Sequence, residues 1–136
     1  MKSNVKPKRG FTIDRRVWLR GEPHGSRLYR PADRKQCCVG IYLRACGVST
    51  RALSDQATAA SLVEDGRAQM PSRAKWLLSG DYALSWAESS VDGQRLYGMN
   101  DSPEETGREE RIEAIFARHG EAVRFIGPKR KAAPKR

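Results

Sequence analysis

Residues 102–126 read SPEETGREERIEAIFARHGEAVRFI, and this stretch carries the plainest helix-to-strand signal in the chain. Ser102 stands before Pro103 with Glu105 three residues on, the pattern of an N-cap, a proline at the first helical position and a reciprocal capping glutamate. Thr106 with Glu109 forms a second candidate start, with Gly107 at the boundary. Ile112, Ile115, Phe116 and His119 then recur on one helical face. Acids crowd the early turns and Arg118 with His119 closes the last, which matches the helix macrodipole. Gly120 supplies the stop. Residues 122–126, AVRFI, alternate Val123 and Phe125 against Arg124 and have the length and β preference of a strand.

Upstream, Asp33 followed three residues later by Gln36, with Pro31 just before, predicts a helix from about residue 34. Cys38, Ile41, Tyr42, Ala45 and Cys46 form its apolar stripe, and Gly47 is its left-handed terminator. Gly40 inside that helix costs about 1 kcal/mol relative to alanine, a sacrifice that suits a close backbone approach. From 48 to 63, Val48, Ala52, Leu53, Ala57, Ala60 and Val63 keep a near-helical spacing that fits one helix or two short ones. Met70-Pro71 breaks the chain within 66–72, and Trp76-Leu77-Leu78 fits either a strand or a buried helix. Residues 82–90 read as helix around Leu84 and Trp86, followed by a turn signal at Asp92-Gly93. Residues 11–20, FTIDRRVWLR, fit neither period cleanly and read as a short strand or turn entering a brief helix; 21–26, holding His24, is a loop. There is no internal repeat. The expected fold is α+β: a small, helix-dominated single domain over 10–127 with a short β-sheet, flanked by a basic arm at 1–9 and a basic tail at 128–136, both expected to be disordered.

The length of 136 residues leaves room for one core, and 38% hydrophobic with 31% charged residues suits a soluble globular domain better than a membrane protein or a fully disordered one. The formal charge of +10 is unevenly placed. Residues 1–9 carry +4 and residues 128–136 carry +5, so the body between them is close to neutral at +1. That body is itself dipolar, with +6 over 10–53 and −5 over 54–127. Strongly basic arms point to polyanions as partners.

The basic start runs into Pro7, Lys8 and Arg9 rather than an apolar core, so no export signal is expected, and the longest largely apolar run, 36–43, is far short of a membrane span. Three cysteines, an odd count, fit a reducing compartment such as a cytoplasm better than a disulfide framework. On one helix Cys38 and Cys46 lie roughly 12 Å apart along the axis, and Cys37 diverges from Cys38 by about 100° around it, so no shared metal or disulfide is expected among them. A Cys–His nucleophile would have only His24 and His119 as base, and the apolar stripe favours packing for the cysteines. Asn100-Asp101 beside Glu104 and Glu105 offers the donors of a divalent metal site, although acids there also suit a helix start. GxxxxGK[ST], GxGxxG, CxxC and HExxH are absent, which weakens nucleotide-binding and common hydrolase readings. No catalytic residue, metal or cofactor is assigned.

Arg15, Arg16, Arg20, Arg27, Arg30, Arg34 and Lys35 crowd one region with Trp18 and Tyr29 interleaved, a composition suited to phosphate contacts and base stacking, or equally to a solvated face around a core tryptophan. The stretches FTIDRRVWLRGE, QCCVGIYLRACGVS and YGMNDSPEETGREERIEAIFARHGEAVRF, together about half the chain, resemble small accessory proteins of bacteriophages and prophages. That resemblance implies a virus-encoded cytoplasmic protein and carries over no catalytic residue. The leading expectation is a non-enzymatic accessory protein that binds nucleic acid or a nucleoprotein complex through Lys6, Lys8, Arg9, Arg15, Arg16, Arg20, Arg27, Arg30, Arg34, Lys129, Arg130, Lys131, Lys135 and Arg136. The alternative is a protein-binding inhibitor of a host machine, such as a restriction, CRISPR or transcription complex, whose acids Asp101, Glu104, Glu105, Glu109 and Glu113 mimic phosphate spacing. The third is a metal-dependent nuclease built around Asp101, Glu104 and Glu105.

Overall fold

A computed structural model describes residues 9–22, 27–79 and 88–129. In chain order these form β1 (Arg9–Asp14), α1 (Cys38–Ala45), α2 (Thr50–Leu53), α3 (Ala59–Glu64), a 3₁₀ segment (Ser72–Leu77), β2 (Leu78–Ser79), β3 (Glu88–Ser89), α4 (Val91–Asp101), α5 (Arg108–Arg118) and β4 (Glu121–Ile126). The fold is α+β. The first and last strands pair in parallel from Arg9 opposite Glu121 to Asp14 opposite Ile126, while β2 and β3 form a separate antiparallel pair. A parallel pair cannot be closed by a hairpin, so everything between β1 and β4 serves as their crossover.

Alternation decides which strand face turns inward: Phe11 and Ile13 of β1 and Val123 of β4 are buried, while Thr12 and Arg124 face out. Helix α1 is apolar nearly all round up to Arg44, and such a helix belongs in the middle of the molecule; its residues 38–43 are all buried. Helix α5 is amphipathic and packs Ile112, Ile115 and Phe116 inward. Phe11, Tyr42 and Phe116 meet with ring centroids 4.8–5.0 Å apart, and Trp76 stands edge-on to Phe116 at 5.5 Å. At Gly40 a Cβ would lie 1.9 Å from the Leu28 carbonyl oxygen, so the glycine exists to let the 27–30 segment cross α1 in backbone contact.

Several boundaries depart from the sequence expectation, each for a physical reason. Helix α1 starts at Cys38, four residues after the expected 34, because Arg34 sits in the left-handed region at φ 60°. Asp33, the expected cap, instead accepts from the Lys35 amide and pairs with Arg30, and Gln36 donates to the Leu28 carbonyl. The true cap comes from elsewhere: the Cys38 amide donates to Oδ1 of Asn100, on α4, at 2.9 Å. Asp92-Gly93 lies inside α4 rather than in a turn, since Ser90 caps that helix by accepting from the Gly93 amide and Asp92 sits in its positive first turn. Ser102 closes α4 instead of opening the next helix; α5 starts after Gly107, whose φ of 75° admits glycine readily. The run at 76–78 divides between the 3₁₀ segment and β2, whereas 48–63 forms two short helices, one of the two arrangements expected for it. Residues 11–20 enter a turn after β1 and not a helix. The helix expected over 82–90 lies mostly outside the described residues, and its end, Glu88–Ser89, is strand. Arg9 belongs to β1 rather than to the arm. Among the described residues, no helix is long and apolar enough to cross a membrane.

Candidate functional site

Three of the described cations expected to face phosphate are engaged within the fold. Arg15 forms a two-pronged ion pair with Glu109, Nε to Oε2 at 2.9 Å and an Nη to Oε1 at 2.7 Å, and donates its other Nη to the Gly127 carbonyl. Arg20 is buried, lies 4.4 Å over the Trp18 ring and donates to the Arg15 carbonyl. Arg30 grips Asp33 with two nitrogens and Glu22 with a third, which holds the Asp33 carboxyl down at about 2. Arg16 pairs with Asp14 at the surface, and Arg27 is half-buried. Arg34 is exposed. Lys129, also exposed, lines a polar cleft with Arg20, Glu105, Gly107 and Glu109. Lys6, Lys8, Arg130, Lys131, Lys135 and Arg136 lie outside the described residues, as does His24. Trp18 is core, its indole N–H donating to Asn100 at 2.8 Å, so it is not a stacking platform.

The acids behave similarly. Glu109 is neutralised by Arg15, Glu105 pairs with Arg108, and of the expected set Glu104 and Glu113 are exposed carboxylates without an ion pair among the described residues. Asn100 points inward with every polar position used: Oδ1 accepts from Trp18 and Cys38, and Nδ2 donates to the Leu19 carbonyl and to Asp101. Among the described residues, no group of three or more His, Cys, Asp or Glu side chains is placed to hold a metal ion, so the expected juxtaposition of Asp101, Glu104 and Glu105 is not formed. The three cysteines are free thiols. Burial pushes Cys37 up to about 12 and Cys38 in the same direction, which leaves both as inert packing groups.

A second constellation was not legible in the sequence. Arg73, in the 3₁₀ segment, forms a two-pronged pair with Glu121 at the head of β4, both contacts at 2.8 Å, and donates to the Gly10 carbonyl. The Tyr42 hydroxyl lies 2.7 Å from the same carboxylate and accepts from the Trp76 indole at 3.0 Å. The ring of His119 stacks flat on Trp76, centroids 4.0 Å apart and planes within 6°, while its Nε2 lies 2.7 Å from Asp92. Arg9, Ser72, Arg73, His119, Gly120 and Glu121 line a cleft of about 230 Å³. Nothing local marks Arg73 or Glu121, which are 48 residues apart; the only sequence hint was His119 at the end of the α5 stripe.

Burial of Glu121 pushes its carboxyl up, but the Arg73 guanidinium and the Tyr42 hydroxyl outweigh this and hold it below the ordinary 4.5. A carboxylate lowered in the folded state stabilises the fold above its unfolded value and loses that contribution as pH falls through the folded one. Urea midpoints are therefore expected to drop on acidification below about pH 4.5, and Glu121→Gln is expected to be less stable at pH 7 with a shallower acid limb.

No protein-family model, curated protein or solved structure matches the chain.

Proposed function

We propose that this chain is a non-enzymatic, phage-type accessory protein that binds nucleic acid in a bacterial cytoplasm, and that its two basic arms make the phosphate contacts. The observation that carries the reading is the parallel pairing of the first and last strands. It roots the N-terminal arm at Arg9 and the C-terminal arm beyond Ile126, at opposite ends of a strand pair about 17 Å long. An antiparallel pair would have rooted both arms at the same end. Arg15, Arg20 and Arg30 are held by internal partners and are not assigned to phosphate, while residues 1–9 and 128–136 carry +4 and +5 of the formal +10.

Each lysine or arginine settling beside a phosphate releases condensed counterion, so affinity should fall linearly with salt on logarithmic axes, with a slope of about −0.9 per contact on a duplex. The test compares the intact chain with one in which Lys2, Lys6, Lys8, Lys131, Lys135 and Arg136 are changed to glutamine. The intact chain is expected to bind short duplexes with a steep slope and little sequence preference; the neutralised chain should lose most of both affinity and slope. A flat salt response from the intact chain would overturn the reading.

A further inference from the structure

We propose that the cleft between the start of β1, the 3₁₀ segment and the α5–β4 corner is a binding site for a single phosphate group, a phosphomonoester or inorganic phosphate, held by Arg9, Arg73, Ser72 and His119. The cleft measures about 230 Å³, below the roughly 300 Å³ at which pockets for drug-sized ligands begin, and has room for a phosphate group.

Its charge balance favours an anion. The one carboxylate in the lining, Glu121, is 2% exposed along its side chain, and both its oxygens are taken: Oε1 by Arg73, and Oε2 by Arg73 and Tyr42. Arg73 thereby spends Nε and one Nη internally, and its other Nη has no hydrogen bond among the described residues. Arg9 lines the same cleft without an ion pair among the described residues, its charge acting on the Glu121 carboxylate, and its backbone N–H donates to the Gly120 carbonyl at 3.3 Å. Ser72 is also part of the lining.

Two of the recognition elements, Arg73 and His119, are held before any ligand arrives. Arg73 is fixed by its fork on Glu121, and His119 by the stack on Trp76 and the contact of Nε2 with Asp92, which leaves Nδ1 as its second ring nitrogen. Arg118 and Arg95 approach Asp92 from its other side at 3.3 and 3.6 Å, so that carboxylate is compensated as well. Guanidinium groups match phosphate geometry, and donors already ordered lose little entropy on binding.

The phosphate has two sources, a small phosphomonoester or the 5′ end of a nucleic acid, and only the second rests on the function proposed above. The experiment titrates the full chain with inorganic phosphate at constant ionic strength and follows the His119 ring resonances, told apart from those of His24 with a His24→Gln variant. A saturable shift is expected, weakened about tenfold in Arg9→Gln. No saturable shift, or equal affinity in Arg9→Gln, would overturn the site. Oligonucleotides with a 5′-phosphate and a 5′-hydroxyl separate the sources: tighter binding of the first assigns the nucleic-acid end, and equal binding assigns the small phosphomonoester. The arm-neutralised chain should keep the phosphate-induced shift while losing duplex affinity, so failure of the arms and failure of the cleft read out separately.

Discussion

Replacing Asn100 with alanine is expected to cost about 3–5 kcal/mol, a large part of the 5–15 kcal/mol that holds a domain of this kind together. The side chain is fully buried and joins three parts of the molecule: it accepts from the Trp18 indole, caps α1 through the Cys38 amide and donates to the Leu19 carbonyl. Alanine strands two donors and an acceptor where water does not reach, at about 1–3 kcal/mol for each unsatisfied group, and leaves a small void. Urea denaturation followed by tryptophan fluorescence should show the midpoint falling with the slope unchanged; a loss below about 1 kcal/mol would contradict the assignment. Asn100→Asp sharpens the test. It keeps the shape and the acceptor but buries a carboxyl beside Asp101, so its folded-state value should rise. An acid raised in the folded state penalises folding above its unfolded value, so this variant should recover stability as pH falls, opposite in sign to the behaviour expected from Glu121.

The same residue explains what the sequence could and could not reveal. Residues 108–126 were legible because the stripe of Ile112, Ile115 and Phe116, the glycine stop and the alternating strand are local patterns that the fold keeps. The start of α1 was not, because its cap lies 62 residues away on α4, and the local alternative at Asp33 is drawn off by Arg30 and Lys35. Helix α4 was hidden by Gly93 and Gly98, which lower its propensity; Gly93 is there because a side chain would meet the Leu77 carbonyl at 2.8 Å.

Charge was legible in amount and misleading in use. Counting arginines over 10–53 suggested an open basic face, yet Arg15 finds its partner 94 residues away on α5, and Trp18 is consumed by the core. The excess of the first half thus meets the deficit of the second at Arg15–Glu109, while Arg73–Glu121 pairs two residues of the second half with each other. Pairing at that distance has no local signature, which is why the cleft beside Arg73 went unseen while the arms were plain.

Gly40→Ala and Gly98→Ala make the same chemical change in two helices and should have opposite signs. Helix propensity alone favours alanine at both positions by about 1 kcal/mol. At Gly98 a Cβ meets nothing within 4 Å, so that gain should appear as a higher melting temperature. At Gly40 the same atom would stand 1.9 Å from the Leu28 oxygen and 2.6 Å from its Cα and carbonyl carbon. Those are backbone atoms, so no rotamer change relieves the clash. Relief requires moving α1 away from the 27–30 segment, and α1 is buried along most of its length, so the displacement spreads into Tyr42 and the aromatic cluster. Overpacking of this kind reaches about 3 kcal/mol or more, well beyond the propensity gain. Thermal denaturation of the two variants beside the parent chain decides the matter: stabilisation by Gly40→Ala would mean that α1 and the 27–30 segment do not cross in backbone contact.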